Sequence, residues 1–515
     1  MPSRFLQKLK VDNDQVVGYV TDRWINPDIA PLPPNRRTWG YWAYIGWGSI
    51  ASLCISAWTA AASLLSLGLT VPQTIGLMIL ARVLMVLLVI GNGWMGAEWH
   101  IGFSVAQSIC FLHMENTFPA SANMITRDFI GFLLFHIISI PFLLIRPEKS
   151  KWYAIAANVI VLFVMLGITI WATTTAGGAG PLFIAGVRQP GTLSKGWAWV
   201  YGIIASVGNI AAGIINQSDF TRFARKQGVQ IPGLVFSLLG AGMLVPIFAI
   251  LTASASMDIW NVEEPFWNPL AIVIQWMLDD YSAKARAGAF FCSFGFVLGQ
   301  IAENVLGNGY AAGMDLAGLF PKWISIRRGT LIAALLSWAV QPWEFYNTAS
   351  VFVAVAASFS VFLSPLTGIM MADYFIVRRQ KIQISHLYTG SKEGSYWYTY
   401  GFNWRGIVAW VVCFVPAMPG MIANVNPSVI ISRGLFNYYL GNYLFGFFES
   451  AVLYTAFCFI SKPKGAGLQD DKDIYGTFEE SVAIRKGITP MNKNVDPEGI
   501  EQIDSVPGHN KATDV

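Results

Sequence analysis

The chain has 515 residues, of which 54% are hydrophobic and only 12% are charged. A soluble domain usually carries about 25% charged residues, so the composition excludes an ordinary soluble domain and favours a chain embedded in a membrane. The net charge of +4 is too small to indicate a nucleic-acid partner.

Long apolar segments fill most of the chain between two polar tails. A helix that crosses a hydrocarbon core of about 30 Å needs about 20 apolar residues. We predict spans at about 41–68, 71–95, 128–146, 152–175, 197–221, 232–256, 286–312, 328–343, 346–375, 405–424 and 435–461. The tails 1–40 and 463–515 would flank a transmembrane domain at 41–462, and the mixed charges of the second tail predict disorder.

The positions of Lys and Arg predict the orientation of these spans. Basic residues concentrate in the loops 146–151, 222–226, 322–328 and 378–381, whereas the intervening loops are acidic or nearly uncharged. Short basic loops stay on the cytosolic side of a membrane. We therefore expect a multi-pass protein of the plasma membrane with both tails in the cytosol.

The number of membrane crossings predicted before Asp128 disagrees with the orientation predicted from the basic loops. The chain returns to the cytosol near Trp94, but the span that starts near Asp128 must begin outside, because it ends in the basic loop at Arg146. The apolar run between them, residues 101–114, would extend only about 21 Å as a helix. Either this segment thins the membrane locally or the chain lacks a helix that its topology requires.

Polar and small residues within two apolar runs indicate a break or a binding site. Gly46, Gly48 and Ser49 predict a break in the first helix, with ordinary small-residue packing as the alternative. Asn216 and Asp219 interrupt the span 197–221, and such groups are costly in lipid unless they face a cavity or protein. The alternative for Asp219 is a simple ion pair with a nearby arginine.

A third region places amides on one helix face. Gln300, Asn304 and Asn308 are spaced by four residues. A buried amide offers both a donor and an acceptor, which suits the N–H and C=O edge of a uracil, hydantoin or allantoin ring. The carboxylate of Glu303 predicts coupling to a proton or a cation. The alternative is that these polar residues only join two helices.

Catalytic and metal-binding patterns are missing from the sequence. The histidines have neither a metal spacing nor a nucleophile partner, there is no Walker motif, and the cysteines lie within apolar stretches. We therefore predict no enzymatic activity, no metal site and no cofactor other than a coupling ion.

Four long motifs follow one another along the chain: NPDIAPLPPNRRTWGYWAYIGWG (26–48), INQSDFTRFARK (215–226), ENVLGNGYAAGMDLAGLFPKWISIRRG (303–329) and SPLTGIMMADYFIVRR (364–379). They resemble the nucleobase–cation symporter-1 family, especially its fungal uracil, uridine and allantoin permeases. The resemblance implies an all-α polytopic transporter in which helices 1–5 and 6–10 form two inverted repeats, followed by two further helices. Substrate would lie between helices 1, 3, 6, 8 and 10.

The resemblance also implies roles for individual residues. The matched positions are Asn308 and Asn304 on helix eight and Asn216 and Asp219 on helix six for substrate binding, Glu303 and Asp219 for proton coupling, and Trp39 for gating. Glu303 falls where sodium-coupled relatives present a hydroxyl ligand, so the resemblance implies a proton in preference to sodium.

Helix three departs from the family pattern. Residues 100–107 resemble the approach to this helix, and residues 115–129 resemble the segment before helix four. The helix between them is therefore predicted to be truncated, by a deletion, alternative splicing or an erroneous gene model. Family members carry there a Trp and a Gln that contact the ring.

These features together predict a secondary active transporter for the proton-coupled uptake of uracil, uridine, allantoin or a related heterocycle by alternating access. Its partners would be this small molecule and the lipid bilayer. The alternative is a non-transporting, receptor-like protein, or an inactive splice or gene-model variant of such a permease. The sequence leaves the heterocycle and the oligomeric state open.

Overall fold

The computed structural model describes residues 10–11, 21–100, 126–340, 348–426 and 428–491. Helices dominate these residues. In chain order the α-helices are α1 (Tyr41–Ile50), α2 (Ile55–Ser63), α3 (Val71–Trp99), α4 (Thr126–Leu143), α5 (Lys151–Thr175), α6 (Lys195–Gly208), α7 (Ala211–Ile215), α8 (Gln217–Thr221), α9 (Gln230–Val235), α10 (Gly242–Trp260), α11 (Pro269–Asp279), α12 (Ala283–Ala302), α13 (Tyr310–Leu319), α14 (Ile326–Leu336), α15 (Ala349–Met371), α16 (Ile384–Leu387), α17 (Trp404–Phe414), α18 (Met418–Val425), α19 (Arg433–Leu440), α20 (Asn442–Ile460) and α21 (Glu480–Lys486).

The helical bundle confirms the predicted polytopic membrane class. Among the described residues, seven helices are long and apolar enough to cross a membrane, and the bent pair α1–α2 adds an eighth. The helix α3 begins at the predicted residue, and α5 matches the predicted span 152–175 almost residue for residue. The predicted truncation of helix three concerns residues 101–125, which lie outside the described part of the chain.

In the described part of the chain, three of the long helices contain a π-helical turn, at Phe236–Ala241, Glu303–Gly309 and Ala372–Val377. The first joins α9 to α10, and the second joins α12 to α13. A π-turn inserts an extra residue into a helix and is frequent at functional sites. The second of these turns contains Glu303, Asn304 and Asn308, three of the residues that the sequence singles out.

The first transmembrane helix is broken between α1 and α2, with a bend of 55°. Cys54 is extended, and its sulfur accepts the backbone N–H of Ala57, which caps α2. A break is therefore present, but it follows the glycines that predicted it. Gly46 and Gly48 instead allow close packing, because a Cβ at either position would overlap Ile155 or Ser237.

The helix formed by α6, α7 and α8 is broken twice. Ile210 and Asn216 leave the helical conformation, and these residues separate α7 from its neighbours. Asn92 of α3 supplies the missing hydrogen bonds at the second break, since its amide donates to the carbonyls of Ile214 (2.7 Å) and Ile215 (2.8 Å). Such side-chain donors make broken helices tolerable in lipid.

The N-terminal segment 21–40 crosses the face of the bundle that carries the basic loops. Asn26 donates to the carbonyls of Pro321 and Ile324, and Arg36 pairs with Glu148 at 3.3 Å. These contacts tie the polar tail to two loops that are far away in sequence.

The segment 463–491 packs against the bundle, although the composition of the C-terminal tail predicts disorder. The helix α21 packs on the end of α3, where Lys486 pairs with Glu98 at 2.8 Å and lies 4.4 Å above the Trp99 ring. Phe478 and Ile488 are buried in the same cluster. A few apolar side chains with a tertiary partner thus order a segment whose composition is polar; residues 492–515 lie outside the described chain.

Candidate functional site

A cavity lies between the broken first helix and the broken sixth helix. It is lined by small residues of helix one (Ala51, Ala57, Ala60, Ala61), by residues of α3 (Met78, Ala81, Arg82, Met85) and by the end of α6 with the residues that follow it (Ser206, Asn209, Ile210). Its volume is about 20 Å³, which is enough for a water molecule, since about 10–15 Å³ suffices for one, but far too small for a heterocyclic ring. A ring can therefore enter only if the helices move apart.

Glu303 is linked directly to the break in helix one. Its carboxylate accepts hydrogen bonds from Ser56 of α2 (2.9 Å) and from Gln300 one turn earlier (2.9 Å). The thiol of Cys54 lies 3.1 Å from the Ser56 hydroxyl. Helix eight and the break in helix one therefore share a short polar chain that ends on a carboxyl group.

The amides predicted to bind substrate lie along the same π-turn. Asn304 is buried and Asn308 is partly exposed, in the segment Glu303–Gly309. Neither residue lines the cavity that the described residues form. Their assignment to the substrate stays a prediction, since helix three, the expected opposite wall, falls in residues 101–125.

Asn216 forms the second break of helix six, and Asp219 follows it in α8. Both are buried, and Asp219 is fully inaccessible within α8. They follow the cavity-lining part of helix six, on the side that leads to the basic loops. The structure therefore separates them along the chain from the cavity, and their roles in substrate binding and proton coupling stay predictions.

Two buried basic side chains, His100 and Arg37, lie close to each other at the end of α3. The Nδ1–H group of His100 donates to the Arg222 carbonyl at 3.0 Å. Burial, followed by the nearby charge of Arg37, lowers the pKa of His100 well below its usual value, so the ring is neutral at pH 7. Burial also lowers the pKa of Arg37 to about 10, while its guanidinium donates to the Leu32 carbonyl.

Trp39 connects the start of helix one to the end of helix six. Its ring is 1% exposed and contacts the rings of Phe220 and Phe223, with centroids 6.3 and 5.4 Å away. Its backbone N–H donates to Phe223, and its carbonyl accepts from Arg225, both at 3.0 Å. These contacts join the start of helix one to the end of helix six, and the gating role that the resemblance implies for Trp39 stays a prediction.

Three residues of this site were not singled out from the sequence: Ser56, Cys54 and Arg82. The signal for Arg82 was available, because it is a basic residue near the middle of an apolar span, where charges are expensive. Ser56 and Cys54 gave no such signal, since serine and cysteine are ordinary packing residues in transmembrane helices. Only the fold reveals their contact with Glu303.

Comparisons with known proteins agree with this architecture. A family model described as a permease for cytosine/purines, uracil, thiamine and allantoin matches residues 106–446. The thiamine transporter of Saccharomyces cerevisiae is 34% identical over 91% of this chain and 85% of its own length. Nicotinamide riboside transporter 1 of the same yeast is 33% identical, over 95% of this chain and 88% of its own length.

A solved structure has the same fold. Mhp1, a nucleobase-cation-symport-1 family transporter in a closed conformation with bromovinylhydantoin bound, superposes with a TM-score of 0.66. The alignment covers 90% of this chain and 99% of Mhp1 at 18% identity. The predicted transporter fold is thereby confirmed.

Proposed function

This chain belongs to the nucleobase–cation symporter-1 family of permeases, and we propose that it takes up a small heterocycle together with a proton by alternating access. Family membership makes it a transporter and not an enzyme, as predicted. The proposed substrates are uracil, uridine or allantoin. The observation that carries the proposal is the hydrogen bond from Ser56 to Glu303, which joins the break of helix one to a carboxylate on helix eight.

Protonation of Glu303 would change the strength of this link. A hydrogen bond to a charged group contributes about 1.5–3 kcal/mol, whereas a bond between neutral groups contributes about 1 kcal/mol. Two donors, Ser56 and Gln300, reach the carboxylate. Loading a proton would therefore weaken the attachment of helix one to helix eight and free helix one to move. We propose Asp219 as a second proton-accepting group, because it is fully buried.

The proposed substrate contacts are the amides of Asn308 and Asn304, with Asn216 and Asp219 on helix six. Asn308 and Asn304 lie on the π-turn that also holds Glu303. Substrate bound there would be adjacent in sequence to the coupling group. Binding of the substrate and binding of the proton would then both act on the π-turn Glu303–Gly309, and this supports the proposal.

Thiamine or nicotinamide riboside is a second candidate cargo. Two relatives that are 34% and 33% identical to this chain carry those names. Both compounds contain a permanently cationic ring, whereas uracil and allantoin are neutral. The two candidates therefore differ in the charge that the site must accept.

A plasma-membrane location with both tails in the cytosol is part of the proposal. The placement of both tails on one side is supported by their contacts with that end of the bundle: Arg36 pairs with Glu148 in a basic loop, and Lys486 pairs with Glu98 at the end of α3. Attachment of a fluorescent protein to either end, followed by quenching from outside, measures this topology. Quenching of either tag by an impermeant reagent would contradict it.

Uptake in a permease-null host tests the proposed function. Cells expressing this chain, and matched cells expressing it with a family helix three restored at 101–125, would receive radiolabelled uracil, uridine, allantoin and thiamine. We expect proton-dependent accumulation of at least one neutral heterocycle in the restored protein. Uptake by the restored protein alone would support the inactive-variant alternative for this chain, and uptake by neither would refute the proposal.

A further inference from the structure

One arginine lies in the wall of the cavity between the broken first helix and the broken sixth helix. Arg82 is near the middle of α3 and is 6% exposed. The other residues of the wall are mostly alanine and methionine, and they include one amide, that of Asn209. A charge within a membrane is costly, so an ionisable side chain in such a position marks a candidate functional site.

Arg82 differs from the other buried arginines in its contacts. Among the described residues the buried arginines are Arg37, Arg82, Arg222, Arg378 and Arg405. The other four donate hydrogen bonds to carbonyls, hydroxyls or a carboxylate. No hydrogen bond or ion pair within the described residues reaches the guanidinium of Arg82. A buried guanidinium has five N–H donors, and leaving them without an acceptor is strongly destabilising.

The donors of Arg82 reach the cavity. In the described part of the chain, the fully enclosed side-chain nitrogens without a partner include Nε of Arg222 but none of Arg82. The guanidinium of Arg82 therefore contacts the open space that this residue lines. Gly242, at the start of α10, leaves room for it, because an added Cβ there would lie 3.2 Å from Nη1.

The cavity suits one small anion in both charge and size. The residues that line it include no aspartate or glutamate, so its fixed charge is positive. Asn209 adds an amide donor, whereas the Ser206 hydroxyl already donates to the Gly202 carbonyl at 2.8 Å. A volume of about 20 Å³ accommodates a single water-sized particle. A monatomic ion fits this space, and a polyatomic ion such as sulfate does not.

We propose that Arg82 and Asn209 form a binding site for one small monovalent anion of the size of chloride. The guanidinium supplies the charge and the stronger donors, because hydrogen bonds from a charged donor are roughly twice as strong as neutral ones. The amide N–H group of Asn209 supplies a further donor. The site is separate from the proposed substrate contacts on the π-turn Glu303–Gly309, and it does not depend on the identity of the cargo.

The two donors lie on different helices, which gives the bound anion a structural consequence. Arg82 belongs to α3, and Asn209 ends the first part of the broken sixth helix. Alanines of helix one close the cavity from the third side. An anion held between these helices stabilises the arrangement in which they are packed together. Chloride should therefore raise the stability of the folded bundle.

Thermal unfolding of the purified full-length chain in detergent tests the inference. Sodium gluconate is replaced stepwise by sodium chloride, bromide or sulfate at constant ionic strength. The proteins are the wild type, Arg82→Met, Arg82→Lys, Asn209→Ala and the matched control Arg188→Met, which removes the same charge from an exposed position. Effects of the salts on the detergent or on surface charge are shared by the control.

We expect chloride and bromide to raise the melting temperature of the wild type and of Arg188→Met in a saturable way, and sulfate to have no such effect. Arg82→Met should lose the response, since loss of a charged donor weakens binding by more than about 10-fold. Asn209→Ala should raise the half-saturating chloride concentration by about 5-fold. Arg82→Lys should keep the response at a higher chloride concentration.

Equal melting temperatures of the wild type in chloride and gluconate would overturn the inference and would show that water alone satisfies the guanidinium. A chloride response in Arg82→Met equal to that of the wild type would overturn it as well. If Arg82→Met does not fold, an unchanged half-saturating concentration in both Arg82→Lys and Asn209→Ala would have the same meaning. None of these results bears on uptake of the heterocycle, which is measured separately.

Discussion

Replacement of Glu303 by glutamine removes the charge from the link between helix one and helix eight. The carboxylate accepts from Ser56 and from Gln300, each at 2.9 Å. An amide at this position can keep one of these bonds through its oxygen. Its nitrogen then faces the second donor, so one polar group in the pair loses its partner.

The expected effect follows from the two bonds. Loss of one charge-assisted hydrogen bond costs about 2 kcal/mol, which corresponds to about 30-fold in an equilibrium constant. We therefore expect Glu303→Gln to shift the attachment of helix one to helix eight about 30-fold towards release, and to lose proton-driven accumulation because glutamine cannot exchange a proton. Because an amide does not titrate, the remaining uptake should be independent of external pH between about 5 and 7.

The assay is initial-rate uptake of labelled substrate in cells or proteoliposomes at several external pH values, with and without a protonophore. The matched control is the swap Glu303→Gln with Gln300→Glu, which keeps one carboxylate and one amide but moves the charge by one turn. If the contact with Ser56 matters, the swap should not restore coupling. Wild-type pH dependence in Glu303→Gln would refute the assignment of Glu303 as the coupling group.

Three further changes test the packing and the site. Gly96→Ala should destabilise the protein by about 3 kcal/mol, because the added methyl overlaps the backbone of α8; its melting temperature in detergent should fall, while Gly167→Ala, with open space around it, should not lower it. Lys486→Ala removes an ion pair and a contact with an aromatic ring, about 1–2 kcal/mol together, so segment 463–491 should be cleaved faster in limited proteolysis than in Lys472→Ala. Asn308→Ala should abolish uptake in the helix-three-restored protein without changing its yield, and normal uptake kinetics would remove Asn308 from the site.

Helix positions were predictable because a membrane span has a strong and simple signal. A continuous apolar run of the right length can be satisfied only as a helix in lipid, and α3 and α5 accordingly begin within a residue of the predicted positions. The helix α11 (Pro269–Asp279) was missed, since it is too short to span a membrane and follows a stretch of polar residues and prolines.

Tertiary contacts decided the features that the sequence could not specify. The polar segment 463–491 is ordered by the cluster around Trp99 and Phe478, which the composition of the tail does not reveal. The break in helix one was anticipated from Gly46 and Gly48, but those residues serve close packing and the break follows them. Small residues thus indicate that a helix can break, and the packing of the neighbouring helices determines the residue at which it breaks.

The candidate site was predictable in part. Glu303 was singled out because a carboxylate within a span is expensive, and the structure gives it two donors. Its contact with Ser56 depends on a residue 247 positions away, so no local pattern could indicate it. Arg82 carried the same signal as Glu303, because it is a basic residue in an apolar span, and only the fold shows that it lines the cavity.

The most direct test of proton-coupled transport is uptake of labelled uracil by proteoliposomes that contain the helix-three-restored chain, under an inward proton gradient without sodium. The account predicts accumulation above the external concentration, collapse of that accumulation on addition of a protonophore, and no change when sodium replaces choline. Uptake that follows a sodium gradient and ignores the proton gradient would contradict it.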